Sequence, residues 1–283
     1  MNIPPSTAPW SRLELVGEYK LTAPLRVGSM AGQESTERPF IPASTFRGAL
    51  RSTVEAIARN LDSDFPPQVR HLTISGLGGK PIAQIRRVLL SCAATDKRSN
   101  DGEYQGCLTE SIVARWQADP LLLPALDQTL AACTCATCRL FGTPWLAGRV
   151  RVADLSLIPD SWNGQLISFG HKQQKALPPT CRFRFRVIVD QATFAEQGLI
   201  LLGLRAIESG AVALGADRAR GLGQGKLSID WWASRYLDAA LLIASMRDQS
   251  GEAALPFSET DAEARIAALE TWLEGLSSSP PSP

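Results

Sequence analysis

The sequence lacks the hydrophobic signatures that direct a chain to or across a membrane. No stretch approaches the roughly 18 consecutive apolar residues that a transmembrane helix requires. Residues 1–5 also lack the basic segment and the following apolar segment that mark a secretory signal. Hydrophobic residues make up 45% and charged residues 20% of the 283 residues, as in ordinary soluble globular proteins. We therefore expect a cytoplasmic protein with no membrane partner.

The sequence also lacks an excess of charge of either sign. The 29 Lys and Arg residues nearly balance the 28 Asp and Glu residues, and the formal net charge is +1 at pH 7. The molecule as a whole therefore offers no strong attractive field to a polyanion. A nucleic acid, if one is bound, would have to be met by a local basic surface.

Residues 214–226 form a glycine-rich loop that fits neither of the two common nucleotide-binding patterns. Arg220 stands where a Walker motif has its first glycine, and Leu227 stands where Ser or Thr would hold magnesium. The residues after the loop predict a strand, whereas a dinucleotide fingerprint opens a helix. The loop can still let a sugar-phosphate chain approach its backbone, and the alternative is a plain turn between two strands. The residues concerned are Arg218, Arg220, Gly221, Gly223 and Gly225.

Six cysteines are present, and Cys133, Cys135 and Cys138 form a cluster that is followed at once by Arg-Leu-Phe-Gly. In a chain without a secretory signal, this spacing favours a metal site over a disulfide framework. Zinc in a structural site takes four ligands in a tetrahedron. Cys107 is the preferred fourth ligand, and Cys92 is its rival or a substitute for Cys133.

Four thiolates would leave no open coordination position, so the predicted zinc is structural and not catalytic. The alternative is a set of reduced, partly buried thiols that bind no metal. The sixth cysteine, Cys181, lies within a strand pattern and is expected to be a small buried hydrophobic residue.

Alternating hydrophobicity predicts strands along much of the chain. The predicted strands lie at 13–27, 149–158 and 181–190, with two short ones at 211–214 and 226–231. Arg182, Arg184 and Arg186 line one face of the third of these strands, and a simple solvated face is the preferred interpretation.

Helical spacing predicts three helices between these strands and after them. The first begins near Ser44, which can cap it, and the others lie at 199–208 and 261–273. Residues 62–142 show no steady pattern and are interpreted as an insertion around the cysteines. The element order is that of a split βαβ plan with insertions, so we predict an α+β fold of the ferredoxin-like class.

The start of the first predicted helix carries features that suit a phosphate. Arg47 and Arg51 are four residues apart and therefore share a helix face beside the positive N-terminal end. The alternative is a helix face that is merely solvated.

Three segments, taken in order, resemble a known family. They are Ile-Pro-Ala-Ser-Thr-Phe-Arg-Gly-Ala-Leu-Arg at 41–51, Cys-Ala-Thr-Cys-Arg-Leu-Phe-Gly at 135–142, and Arg-Ala-Arg-Gly-Leu-Gly-Gln-Gly at 218–225. The order is similar to that in the RAMP superfamily of CRISPR-associated proteins, and it most resembles the repeated backbone subunit of type III effector complexes. The resemblance covers residues 13–232.

The resemblance implies a modified ferredoxin-like, RNA-recognition-type domain: an antiparallel sheet with helices on one face. Residues 1–257 would form this domain, with the zinc-binding insertion at 62–142 and a thumb hairpin at 161–179. Beyond the resemblance, the residues themselves predict a C-terminal helix at 258–275 and a disordered tail at 276–283, because the Ser- and Pro-rich tail cannot pack a core.

The same resemblance implies partners and contacts. The partners would be guide (crRNA) and target RNA, neighbouring RAMP subunits and a large signalling subunit. Phosphates of the guide RNA would be held by the helix start and the glycine loop at 215–225, and the thumb would contact the guide–target duplex and a neighbouring subunit. The implied residues are Ser44, Thr45, Arg47, Arg51, His171, Lys172, Arg218, Arg220, Gly221, Gly223 and Gly225.

The chain departs from the cleaving members of this family in the loop before the first helix. Those members carry a catalytic aspartate there, whereas residues 29–40 contain no aspartate and only two carboxylates, Glu34 and Glu37. A glutamate can act as a general base or help to bind an ion such as Mg²⁺, and the alternative is two solvated side chains.

Three hypotheses follow. In the preferred hypothesis, the chain is an RNA-binding backbone subunit that does not cut RNA. In the second, it is a target-RNA endonuclease that uses these glutamates. In the third, it is a zinc-stabilised scaffold without RNA contact.

Overall fold

The structure, a computed structural model, describes residues 10–26, 39–64, 70–75, 81–87, 91–92, 134–169, 174–248 and 254–277. The strands in these ranges are β1 (Ser11–Leu21), β2 (Phe40–Ile41), β3 (Arg70–Ser75), β4 (Pro81–Arg87), β5 (Val150–Val152), β6 (Leu155–Leu157), β7 (Ile167–Phe169), β8 (Gln174–Ala176), β9 (Arg182–Asp190), β10 (Gly225–Ile229), β11 (Arg235–Asp238) and β12 (Leu255–Pro256). The helices are α1 (Ala43–Asp64), α2 (Ala136–Phe141), α3 (Phe194–Glu208), α4 (Ala239–Asp248) and α5 (Glu259–Ser277). None of these helices is both long and apolar enough to cross a membrane.

Strand β1 lies at the centre of the main sheet because both of its edges are paired. β9 runs antiparallel along one edge, and β11 and β10 share the other edge. Alternate side chains of β1 are buried, among them Leu13, Leu15 and Tyr19. This period of two turns one face of the strand towards the core and the other towards solvent.

The order of the strands defines the fold. β5 and β6 pair with the far edge of β9, so the centre of the sheet runs β10, β1, β9 and then β5 with β6. Helix α1 follows β1 in the chain, and α3 connects β9 to β10. Numbered along the chain, the four core positions have the order 4-1-3-2 of a split βαβ plan. The predicted α+β, ferredoxin-like class is therefore confirmed.

Helices α1 and α3 cover the buried face of the sheet. Phe46 of α1 stacks on Phe185 of β9, with the ring centroids 5.9 Å apart. Gly203 of α3 lets the two helices approach closely, because a Cβ atom there would lie 2.5 Å from Val54 Cγ2. The opposite face of the sheet carries the exposed and half-buried side chains and is left open.

Helix α5 packs against α3 through a cation–π contact. The Arg265 guanidinium lies 3.6 Å from the centre of the Phe194 ring, and its Nε donates to Gln197 Oε1 at 3.1 Å. The predicted C-terminal helix is thus present, and it runs from Glu259 to Ser277, against the predicted range of 258–275.

The helix starts differ from the sequence predictions for identifiable reasons. α1 begins at Ala43, whose amide donates to Asp154 Oδ1 at 2.7 Å, so a carboxylate between β5 and β6 provides the cap expected from Ser44. α3 begins well before the predicted start because Thr193 and Glu196 form a capping box.

Two further differences concern the segment after α3. The predicted strand at 211–214 is wrong: these residues lie in a loop, where the Leu214 amide donates to the Gly223 carbonyl at 2.8 Å. Helix α4 was not predicted at all.

Two hairpins lie in the predicted insertions. β3 and β4 pair antiparallel within the segment at 62–142. β7 and β8 pair antiparallel within the predicted thumb. An antiparallel bridge between Leu25 and Leu177 joins the base of the second hairpin to the segment after β1.

Candidate metal centre and nucleic-acid interface

Three cysteines lie together at the start of helix α2. Cys135 is the N-cap of this helix, and Cys138 lies in its first turns. Cys92 reaches the same place from a distant part of the chain, and its Sγ lies 3.4 Å from Cys138 Sγ. The three Sγ atoms all lie within 4.8 Å of one another. Sulfurs around zinc, at bonds of about 2.3 Å, lie about 3.8 Å apart, so the three thiols fit such a site.

Backbone donors support this arrangement. The amides of Cys92 and Cys138 both donate to Cys135 Sγ at 3.4 Å. Donors of this kind stabilise a thiolate ligand and fix its orientation. The group could therefore bind a metal ion, and its sulfur ligands are compatible with structural zinc.

The structure places the predicted cysteines as follows. Cys135 and Cys138 belong to the group, and Cys92, the predicted substitute, is its third member. Cys107 and Cys133 lie outside the described residues. Cys181 is fully buried next to β9, and burial raises its pKa to about 11, so its prediction as a small buried hydrophobic residue is confirmed.

A buried carboxylate ties this region to helix α3. Glu196 accepts from Arg139 Nε at 2.7 Å and from Arg149 Nη1 at 2.8 Å, and it also accepts from the Thr193 amide. Burial by itself would raise the pKa of Glu196. The two guanidinium groups, Arg139 foremost, and the Thr193 amide outweigh burial and hold that pKa below its ordinary value.

Glu196 is not among the residues predicted from the sequence. The pattern Thr-x-x-Glu before an apolar run, which is typical of a capping box, was the signal that could have found it.

Arg47 connects helix α1 to the same region. Its Nη2 donates to the Phe141 carbonyl and its Nε to the Val150 carbonyl, the latter at 3.3 Å. Its guanidinium also lies 5.9 Å from the centre of the Phe141 ring. Burial, and secondarily the neighbouring Arg51, lower the pKa of Arg47. The Arg47 guanidinium therefore directs much of its hydrogen bonding to groups inside the protein.

The other predicted contacts at the start of α1 differ in exposure. Ser44 is exposed in the first turn, and Thr45 is half-buried. Arg51 is mostly buried, and its Nε donates to Glu55 Oε1 at 2.8 Å. Only the Ser44 end of this predicted site is thus fully open to a ligand.

The glycine loop presents its two arginines to solvent. Arg218 and Arg220 belong to a single 3-10 turn, with left-handed backbone at Asp217 before it and at Gly221 after it. Both arginine side chains are exposed. Asp217 Oδ2 accepts from Arg26 Nη1 at 2.8 Å, which fixes the start of the turn, and Asp217 Oδ1 lies 3.8 Å from Arg220 Nη1.

The glycines of this loop serve different purposes. A Cβ atom at Gly223 would lie 1.7 Å from the Leu214 carbonyl oxygen, and one at Gly225 would lie 2.5 Å from the Tyr19 ring. These two positions therefore need glycine because the chain itself approaches closely. At Gly221, φ is +80° but nothing lies within 4 Å of the added atom, so this glycine is the one open to a ligand.

The open face of the sheet is charged. Its described side chains on β1, β9 and β10 include no aromatic residue, and the exposed ring on this face, Phe40 of β2, lies at the sheet edge in register with Ser156. Arg186 donates two hydrogen bonds to Glu14, at 2.7 and 3.0 Å, and Arg12 pairs with Asp190 at 2.8 Å. At the end of the sheet that carries Arg12 and Arg186, the face that was predicted to be simply solvated is therefore a network of ion pairs.

The remaining predicted site residues lie elsewhere. His171 and Lys172 fall between β7 and β8 in the sequence and lie outside the described residues. Glu34 and Glu37 also lie outside the described residues. The base of the β7–β8 hairpin is held by Ser161, whose Oγ accepts from the Arg182 amide at 2.9 Å.

Comparison with known proteins identifies the family of the chain. The family model of the RAMP superfamily matches residues 18–226, a span that contains α1, the cysteine group and the glycine loop. No curated protein matches the chain. A family match over most of the chain, on a ferredoxin-like fold, shows that the chain belongs to the RAMP superfamily of CRISPR-associated, RNA-binding proteins.

Proposed function

We propose that the chain is a guide-RNA-binding backbone subunit of a type III CRISPR effector complex. In this role, base pairing between guide and target reads the sequence, and the protein holds the backbone. Membership of the RAMP superfamily supports RNA and CRISPR-complex partners in general. The three sequence segments at 41–51, 135–142 and 218–225 support the narrower assignment. The partners are crRNA, target RNA, neighbouring RAMP subunits and a large signalling subunit.

The observation that carries this proposal is the exposed pair Arg218 and Arg220. The turn that holds them is fixed from inside by the Arg26–Asp217 ion pair, while their own side chains point into solvent. Gly221, next to them, leaves space for a backbone to approach. Fixed arginines beside an open backbone suit phosphate contacts without sequence preference.

The start of α1 has a divided role in this proposal. Ser44 and Thr45 lie at the positive end of a long helix and contact phosphate. Arg47 and Arg51 have partners inside the protein, so we assign them mainly to holding α1 in place. The β7–β8 hairpin corresponds to the thumb, and His171 and Lys172, which stand between these two strands in the sequence, remain candidates for contacting the duplex.

The proposal is tested by measuring the binding of the purified full chain to a fluorescein-labelled guide RNA over a range of salt concentrations. Replacing both loop arginines (R218Q/R220Q) should remove two phosphate contacts. The slope of log K against log salt should then fall by about 1.4, and affinity at 150 mM salt should fall about tenfold. The charge-matched control is R12Q/R151Q, because both of these arginines already pair with Asp190. Equal affinity of the two double variants would contradict the proposal.

The cysteine group is assigned to structural zinc. Cys92, Cys135 and Cys138 supply three sulfurs, and Cys107 or Cys133 supplies the fourth. The ion would pin the insertion against the core and take no part in chemistry. Elemental analysis of the purified chain should give one zinc per molecule, and the variant C138S should lose it. A full zinc content in C138S would refute the assignment.

A further inference from the structure

Three cations stand in a row across the open face of the sheet, at the end nearest the glycine loop. Lys20 of β1 lies directly opposite Arg182 of β9 on one side and directly opposite Lys226 of β10 on the other. Side chains that are paired in this way point to the same face of a sheet. Lys20 and Lys226 are exposed and Arg182 is partly exposed. The row spans three strands, or about 10 Å.

This row is electrostatically unfavourable for the isolated protein. Like charges directly opposite each other on neighbouring strands destabilise a sheet. Among the described residues, Lys20 and Lys226 form no ion pair, and neither does Arg184 in the adjacent row. The carboxylate at this end of the face is Glu18, which lies 3.3 Å from Arg182. Among the described side chains of β1, β9 and β10, four cations therefore face one carboxylate at this end.

The other end of the same face is balanced. Arg12 and Arg151 pair with Asp190, and Arg186 pairs with Glu14. A solvated face without further function would be expected to show this kind of pairing along its whole length. Among the described residues, the positive charge at this end is in excess, which suits an anionic ligand.

The position of the row in the structure indicates which kind of anion would bind there. Lys226 follows directly after Gly225, the last glycine of the glycine loop. The Gln224 carbonyl accepts from the amides of Thr22 and Ala23, at 2.9 and 3.1 Å, and so fastens the loop beside the end of β1. At the far end of the row, the Arg182 amide donates to Ser161 at the base of the β7–β8 hairpin. The row therefore connects the exposed loop arginines to the hairpin.

We propose that Lys20, Lys226 and Arg182, with Arg184 beside them, form a second phosphate-binding track for single-stranded RNA. The strand passes from the glycine loop across the end of the sheet towards the hairpin. The row consists of cations, and the described side chains of β1, β9 and β10 on this face include no aromatic residue, so the track binds the sugar-phosphate backbone and has no sequence preference. This inference rests on the proposed function, since it extends the same RNA path.

The test uses the purified full chain and a fluorescein-labelled single-stranded RNA of mixed sequence, titrated at several salt concentrations. In K20Q/K226Q the salt slope should fall by about 1.4, and the affinity at 150 mM salt should fall about tenfold. R12Q/R151Q carries the same charge change on the same face and should bind as the wild type does. The single variant K226Q should give about half of the change in slope.

A folding measurement accompanies the titration. Because K20Q/K226Q removes a repulsion between facing lysines, its thermal midpoint should equal or exceed that of the wild type. A weaker affinity together with a lower midpoint would count against a direct contact.

The outcomes separate this inference from the proposed function. If wild-type protein binds RNA and R218Q/R220Q weakens binding while K20Q/K226Q does not, the proposed function stands and the second track is wrong. If the wild type does not bind RNA, both are wrong. A parallel titration uses poly-L-glutamate, which represents an acidic protein surface. If K20Q/K226Q loses binding to poly-L-glutamate but keeps its RNA affinity, the row recognises an acidic protein surface and the RNA track is refuted.

Discussion

The arginines around the cysteine group and those on the glycine loop have the same side chain and opposite surroundings. Arg139 and Arg149 are largely buried, and both bind the carboxylate of Glu196. Arg218 and Arg220 are exposed on a turn whose geometry is fixed by other residues. The first pair fastens parts of the fold to one another, and the second pair is left available to a ligand.

This difference matters for deciding which basic residues of a RAMP protein contact RNA. A family motif that contains arginines does not say which of them face RNA. The motif at 41–51 contributes Arg47, whose donors go to backbone carbonyls, whereas the motif at 218–225 contributes arginines with solvent around them. Exposure and internal partners therefore separate the two roles.

The largest expected effect is that of removing the buried charge shared by Arg139 and Arg149. E196Q keeps the size of the side chain and can keep the capping box, but it leaves two largely buried guanidinium groups uncompensated. The free energy of unfolding should fall by about 3–5 kcal/mol. Urea denaturation followed by circular dichroism measures this loss.

D190N is the matched control for that variant, because Asp190 also pairs with two arginines. Arg12 and Arg151 are, however, about half exposed, so this variant should lose only about 0–1 kcal/mol. Equal losses in E196Q and D190N would mean that burial does not distinguish the two carboxylates.

A smaller effect is expected from Arg47. R47M keeps most of the length of the side chain but leaves the Phe141 and Val150 carbonyls without their donor. Stability should fall by about 1–3 kcal/mol, while the RNA affinity of the folded protein should stay unchanged. R59M, on an exposed face of the same helix, should change stability by no more than about 0.5 kcal/mol.

The opposite result for Arg47 is equally informative. If R47M weakens RNA binding and leaves stability intact, this arginine contacts phosphate, as the family resemblance implies.

Sequence periodicity was enough to predict the central parts of the fold. β1, β9 and α1 were predicted because their apolar residues follow periods of two or near four, and burial of one face imposes those periods. The start of α3 was predicted too late because the capping box of Thr193 and Glu196 begins the helix before its apolar run. The strand expected at 211–214 was wrong because the Leu214 amide pairs with the Gly223 carbonyl of the glycine loop and not with a neighbouring strand.

The candidate sites were only partly predictable for a different reason. The pair Cys135 and Cys138 is local, so its spacing was visible in the sequence. Cys92 joins the pair through the tertiary fold, and no local sequence pattern predicts that contact. The charged row of Lys20, Arg182 and Lys226 likewise depends on the register of three strands, which the sequence leaves open.

The smallest expected effect concerns the stability of the loop variant itself. Arg218 and Arg220 are exposed, and the nearest carboxylate, on Asp217, lies 3.8 Å from Arg220 and already pairs with Arg26. Exposed pairs of this kind contribute little, so R218Q/R220Q should unfold within about 0.5 kcal/mol of the wild type in urea. The same variant should lose RNA affinity, which is the reverse of the pattern expected for R47M. A loss of more than about 1 kcal/mol would place the loop arginines among the residues that hold the fold together, because exposed positions rarely show a loss of that size.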